Sequence, residues 1–157
     1  MARVYLETSF VSACVTERPD AASVYRREVS VDWWKTQRWP HAIFVSEEVS
    51  AELSHAGFRQ GSAALALVAD VPVLPINDDV VGLARILIRE KVMPGPVAGD
   101  AVHVGVATVH GMDYMLTWNV RHLANPNKLA HLRTICRRVG LLPPEILTPD
   151  LLWETEP

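Results

Sequence analysis

Arg3-Val4-Tyr5-Leu6-Glu7-Thr8-Ser9-Phe10-Val11 opens the chain with a strand that passes at once into a helix. The apolar and β-favouring residues from Arg3 to Glu7 predict a short strand, and the hydroxyls of Thr8 and Ser9 offer an N-cap to a short helix over Phe10–Val15. An acid, Glu7, therefore falls at the carboxyl end of the first strand. Strands that alternate with helices call for a parallel sheet covered on both faces.

The same alternation continues outward from this stretch. Pro19-Asp20 starts a helix over Ala21–Gln37, His41–Val45 forms a second strand, and Ser46 caps a helix over Glu47–His55 whose first turn holds two acids, as the helix dipole prefers. Gly61–Ala69 is a short apolar helix. Val71–Pro75 is a strand bracketed by prolines, which belong at a sheet edge or a strand start. Asn77-Asp78-Asp79 begins a helix reaching about Lys91, Met93–Gly99 is a Pro/Gly loop, and Asp100 opens an apolar helix to about His110 that Gly111 closes. Tyr114–Trp118 is the next strand, helices are predicted at Val120–Ala124 and Asn127–Val139, and a last short strand and a turn finish the chain. The expected architecture is a single α/β domain over residues 1–157, a three-layer α/β/α arrangement with a mainly parallel sheet.

Composition agrees. The 157 residues are 49% hydrophobic and 21% charged, which suits one core-forming domain and excludes a disordered polar chain. A chain of this size holds a core without disulfides or a structural metal. The longest apolar run, Ala63–Ala69, is far short of the roughly 20 residues that cross a bilayer. The first residues lack an apolar signal core, and Cys14 and Cys136 have no C-x-x-C spacing, so a cytoplasmic protein with two packed thiols and no membrane association is expected. Of 15 basic residues only Lys35, Lys91 and Lys128 are lysine, a bias toward the planar fork that recognises phosphate and carboxylate, although an Arg-rich codon supply explains it equally well. A net charge of −3 gives no broad attraction to a polyanion, so contact with nucleic acid requires a local patch or a bound cation.

In a parallel sheet, ligands bind beyond the carboxyl ends of the strands. Glu7 and Asn119 follow strands there, Glu52 lies on the helix after the second strand, and Asp100 starts a helix after a loop. These four are expected to converge on one crevice, where three carboxylates repel unless a cation neutralises them. Oxygen donors without thiolate or imidazole partners suit Mg²⁺ or Mn²⁺, with Glu7, Glu52 and Asp100 as ligands. Such a centre activates water and stabilises charge on a phosphoryl oxygen, which points to metal-dependent phosphodiester hydrolysis. No G-x-G-x-x-G, P-loop, H-E-x-x-H or G-x-S-x-G is present, which removes most support for dinucleotide enzymes, NTPases, zincins and serine hydrolases.

Tyr5–Val11, Ser46-Glu-Glu-Val-Ser-Ala-Glu52-Leu53, Asp100-Ala-Val-His103 and Leu116-Thr117-Trp118-Asn119 resemble, in order and spacing, the PIN-domain family, and within it VapC-type toxins of bacterial type II toxin–antitoxin systems. The resemblance covers nearly the whole chain. It implies the α/β/α PIN-like fold, Mg²⁺- or Mn²⁺-dependent endoribonuclease activity on an RNA substrate, an antitoxin protein that blocks the site, and a homodimer. Residue by residue, it places the family's acids at Glu7, Glu52 and Asp100, its fourth polar position at Asn119, and a supporting hydroxyl at Thr8 or Ser9. The first position is usually Asp, and Glu moves the carboxylate by on the order of 1 Å. The fourth is often Asp, and Asn lowers the negative charge by one.

Other readings stand beside these. Glu48, one turn before Glu52, competes with it for the site. Asp100 and Asn119 are also natural helix N-caps. Asp113 is a minor candidate, and Asp150 reads as a helix start. His103 either braces the Asp100 carboxylate or touches phosphate, or is a packed helix histidine. Trp33, Trp34 and Trp39 cannot share one buried stripe, so some are expected to line a groove for a partner helix or a dimer face. Arg133, Arg137 and Arg138 suit a helix C-terminus and offer a secondary phosphate contact. Glu7 and Asn119 also admit a PIN-like module that binds RNA or protein with weak or no cleavage.

Overall fold

The computed structural model describes residues 1–155. Five strands, β1 (Arg3–Leu6), β2 (Ala42–Ser46), β3 (Val73–Leu74), β4 (Tyr114–Leu116) and β5 (Glu145–Leu147), form one sheet in the order β3-β2-β1-β4-β5. Every pairing is parallel, with Tyr5 opposite Phe44 on one side and Met115 on the other. The sheet is thus wholly parallel, and the proline-flanked β3 takes the edge its sequence predicts.

Seven helices cover it: α1 (Thr8–Val15), α2 (Ala21–Thr36), α3 (Glu47–Leu53), α4 (Gly61–Leu67), α5 (Asp78–Arg89), α6 (Asp100–Val109) and α7 (Pro126–Arg138). They make the three-layer α/β/α arrangement that a parallel sheet requires, because both of its faces must be buried. β1 is central, and Val4, Tyr5 and Leu6 are fully buried. Helix α6 is buried on every side from Ala101 to Thr108. It rests against α5 at Gly105, where a Cβ would stand 3.0 Å from the Val80 carbonyl oxygen. His103 is the one ionisable side chain in that buried run.

Two expectations change. Helix α1 begins at Thr8, two residues early, because the Glu7 carboxylate caps it in place of the hydroxyls. Val120–Ala124 is a turn, closed by Leu123 and Ala124 N–H groups that both donate to the Asn119 carbonyl. Trp33 is fully buried and donates to the Leu152 carbonyl at 2.7 Å, while Trp34 and Trp39 enclose the Arg38 guanidinium at 3.9 and 4.2 Å from their ring centres. Of the three indoles Trp39 is the exposed one. Both cysteines are free, and burial pushes Cys14 up to about 12 and Cys136 up to about 11, which disfavours the thiolate of each. Among the described residues no helix is long and apolar enough to cross a membrane.

Candidate active site at the carboxyl edge of the sheet

From β1 the chain turns to β2 on one side, while β4 lies on the other, so the strand order reverses between β1 and β4. A crevice forms at such a switch point. Glu7 leaves β1 there and Thr117 leaves β4 beside it. The Glu7 side chain is 5% exposed and receives three hydrogen bonds: Ser9 N–H at 2.6 Å on Oε2, and the Ser9 and Thr117 hydroxyls at 2.7 Å each on Oε1. Those hydroxyl oxygens accept in turn from the backbone N–H of Trp118 and Asn119. One carboxylate therefore ties the end of β1, the start of α1 and the end of β4 together. Of the two expected supporting hydroxyls, Ser9 serves Glu7.

Thr8 serves Glu52 instead, donating to Oε1 at 3.0 Å. The same oxygen receives a short hydrogen bond from His103 Nε2. His103 Nδ1 meets the Tyr5 hydroxyl, which bonds Ser46 Oγ at 2.8 Å, and Ser46 Oγ caps α3 at Val49 N–H. His103 thus braces Glu52, and does so from a fully buried helix. Burial works against the charge on Glu52, but the hydrogen bond and charge of His103 and the Thr8 hydroxyl outweigh it and hold its pKa below the ordinary range. Burial likewise opposes the His103 cation, but the Glu52 hydrogen bond and the charges of Glu7, Glu52 and Glu48 prevail and raise its pKa. Burial keeps the Tyr5 hydroxyl protonated, its pKa well above the usual value.

A lowered acid contributes stability above its unfolded pKa, and a raised histidine contributes below its own. The Glu52–His103 pair therefore contributes fully between about 4.5 and 6.5, the ordinary values of the two groups. Its contribution is lost as pH falls through the folded-state value of Glu52 or rises through that of His103. His103→Gln is expected to cost about 1–2 kcal/mol in that window, at the low end for a buried pair because the Glu52 side chain is 38% exposed. Thermal melts of both proteins across pH check this: the gap in Tm narrows above the window, and a pH-independent gap refutes the ion pair.

Asp100 is the first residue of α6, while the cap is Gly99 in the left-handed region (φ +59°). The N-cap reading of Asp100 does not hold, and its side chain is left for another use. Oδ1 accepts from Asn119 Nδ2 at 3.1 Å, and Asn119 Oδ1 accepts from His122 N–H at 3.0 Å. Asn119 therefore caps its turn and positions Asp100 at once. Glu48 Oε1 accepts from Gly99 N–H at 3.1 Å, so helix α3 presents both of its one-face acids to α6, Glu48 to the cap and Glu52 to the first full turn. Asp113 binds the N–H of Arg3 at the amino edge of the sheet, remote from this crevice.

The carboxylates stand as separate hydrogen-bonded groups: among the described residues no three His, Cys, Asp or Glu side chains are arranged in ligating geometry. The chemistry of the donor set nevertheless fits a hard divalent cation. Among the described residues no hydrogen bond engages Oε2 of Glu52 or Oδ2 of Asp100, and Oε2 of Glu7 accepts only one. Glu52 and Asp100 each have one oxygen oriented by protein donors and one without, and Glu7 is held at both oxygens with a lone pair to spare on Oε2, a pattern in which supporting hydrogen bonds aim metal ligands. The sequence reading gave no site role to Thr117 or Tyr5, and it read Ser46 only as the α3 cap. A hydroxyl two residues before Asn119 at a strand end was the signal for Thr117, whereas nothing local marks Tyr5 or the contact it makes with Ser46.

No protein-family model matches the sequence, and no curated protein is similar to it in sequence. Solved structures do match. VapC20 from Mycobacterium tuberculosis, described as a sarcin–ricin loop cleaving toxin, superposes with a TM-score of 0.58 at 21% identity, over 82% of this chain and 94% of that one. FitAcB from Neisseria gonorrhoeae gives 0.51 at 16% identity, over 74% and 88%. At such identities the likeness concerns architecture, and the wholly parallel β3-β2-β1-β4-β5 sheet between helices is the PIN-like fold that VapC-type toxin structures display.

Proposed function

We propose that this chain is a Mg²⁺- or Mn²⁺-dependent endoribonuclease, the toxin of a type II toxin–antitoxin pair. The observation that carries the reading is the set of three buttressed acids, Glu7, Glu52 and Asp100, at the switch-point crevice of a PIN-like sheet: among the described residues Oε2 of Glu52 and Oδ2 of Asp100 have no protein donor, and Oε2 of Glu7 has one, the Ser9 N–H. Those three side chains are the ones that would hold the cation. Mg²⁺ or Mn²⁺ supplies Lewis acidity toward a phosphodiester oxygen and activates water. The chain's own residues supply position. Ser9 and Thr117 fix Glu7 through both of its oxygens, while Thr8 and His103 fix Glu52 and Asn119 fixes Asp100 through one oxygen each, so each acid is preorganised. His103 is too buried to reach RNA, and its role is to orient Glu52.

Incubation of the purified protein with single-stranded RNA tests the assignment. Cleavage is expected with Mg²⁺ or Mn²⁺, is lost in EDTA and returns with excess Mn²⁺; cleavage undiminished by the chelator overturns it. The separation of the three acids favours a second reading, a PIN-like module that binds RNA or protein without cutting. Calorimetric titration with Mn²⁺ decides between them, because no heat at millimolar metal assigns the inert module.

A further inference from the structure

A cavity of about 670 Å³ opens beside the acid site, between α1, the α1–α2 loop, α2 and the connection from α3 to α4. Ser9 and Asn119, which hold Glu7 and Asp100, form part of its lining. Arg18, Arg26 and Arg59 line it from three separate segments, against the single acid Glu17. Arg18 is paired with Asp20 at 3.5 Å, whereas Arg26 and Arg59 make no ion pair among the described residues. In a chain with a net charge of −3, two exposed, unpaired arginines on one cleft form a local anion site that the overall charge cannot provide.

Arg26 is also held in place. Its guanidinium lies 5.7 Å from the centre of the Trp118 ring. Trp118 is itself fixed by its Nε1–H donating to Ser30 Oγ at 2.8 Å and by the edge-on ring of Tyr25 at 6.1 Å. A guanidinium backed by an immobile indole presents its outer face for stacking and its N–H edge for an anion. Phe58 supplies apolar wall in the same cleft. Planar apolar surface for stacking, a supported guanidinium and a second free arginine are the features that recognise an unpaired nucleotide.

We infer that this cleft binds the single-stranded nucleotide next to the phosphodiester that is cut, with Arg59 on a phosphate and Arg26 stacked on the base. The inference rests on the ribonuclease reading for the position of the cut, but binding in the cleft requires no catalysis. An acidic protein segment is the competing occupant, and it has no use for a stacking guanidinium.

Fluorescence anisotropy of a labelled mixed-sequence oligoribonucleotide, in EDTA and over a range of KCl, tests it. Arg59→Gln and Arg26→Gln are each expected to weaken binding by about five- to tenfold and to lower the slope of log K against log salt by about 0.7. Arg26→Lys retains the slope yet binds about fivefold more weakly, and it matches the wild type on an abasic strand, because lysine keeps the charge without the plane. With metal present, the glutamine variants raise KM and leave kcat unchanged. Both arginines are exposed, so circular dichroism melts of the variants should coincide with wild type. Affinity and salt slope unchanged in both glutamine variants overturn the proposal and leave the cleft to a protein partner. If Asp100→Asn cuts as well as wild type while the arginine variants lose RNA, the catalytic assignment fails and the nucleotide subsite stands. If Asp100→Asn abolishes cutting while the arginine variants bind normally, the subsite fails and the nuclease stands.

Discussion

Asp100→Asn is expected to lower divalent-dependent RNA cleavage by about 10³-fold, the loss of roughly 4 kcal/mol of transition-state stabilisation, while leaving the melting temperature nearly unchanged. The asymmetry follows from how Asp100 is bound. Among the described residues its side chain accepts one hydrogen bond, at Oδ1 from Asn119 Nδ2. An asparagine at position 100 keeps that acceptor by turning its carbonyl toward Asn119. The oxygen that has no protein donor becomes an amide NH₂, which cannot ligate a cation and opposes its approach. The shape of the side chain and the start of α6, which Gly99 caps, are preserved. Cleavage assays and thermal melts on one preparation check both halves. A drop in stability with intact cleavage would instead make Asp100 a structural residue.

Glu7→Gln is expected to fail on both counts, losing cleavage to a similar extent and about 2–3 kcal/mol of stability, for a fall in Tm of roughly 4–12 °C. Glu7 is buried and receives three donors. A glutamine oxygen can keep the Ser9 N–H, but the amide nitrogen then faces the Ser9 and Thr117 hydroxyls, whose hydrogens lose their acceptor. Those oxygens can rotate to accept from the amide, so the cost stays below that of three lost charge-assisted bonds. Because Ser9 and Thr117 also accept from the backbone of Trp118 and Asn119, loosening them disturbs the segment that positions Asp100. Chemical denaturation gives the stability term, and assays well below the melting transition isolate the catalytic one. A variant with wild-type stability refutes the role of Glu7 as the tie between β1, α1 and β4.

The two variants also separate what each acid does. Asp100 is expected to serve chemistry with little structural duty, whereas Glu7 serves both. This bears on the longer side chain at position 7. The extra methylene of Glu reaches the Thr117 hydroxyl across the switch point, and the result is a carboxylate fixed from both strands rather than one displaced at random.

Much of the fold is legible along the chain because its signals are local. The β-favouring run before Glu7, the prolines around β3, the acids in the first turn of α3 and the loop before Asp100 each dictate a short segment without reference to the rest. Where local signals mislead, a competing local interaction explains it. Asn119 draws the following N–H groups onto itself and closes a turn where a helix was expected, and Glu7 caps α1 from one residue before the hydroxyls. The positions of the candidate acids along the chain are legible, and the side chains that hydrogen-bond them are not. Thr8 and Ser9 are adjacent and chemically alike, yet they serve different acids because successive residues at a helix start point in different directions. His103 stands three residues from Asp100 but bonds Glu52, which is 51 positions away.

By itself, then, the sequence determined the alternating elements, the parallel sheet they require and which carboxylates stand at its carboxyl edge, since periodicity, capping and turn residues act over a few positions. Only the tertiary structure decided which donors hold the oxygens of each acid, that His103 is buried and paired with Glu52, and that Arg26 and Arg59 meet on one cleft. Those outcomes depend on side chains brought together from distant segments, and hydrogen bonds and charges act through distances in space that no local pattern in the chain encodes.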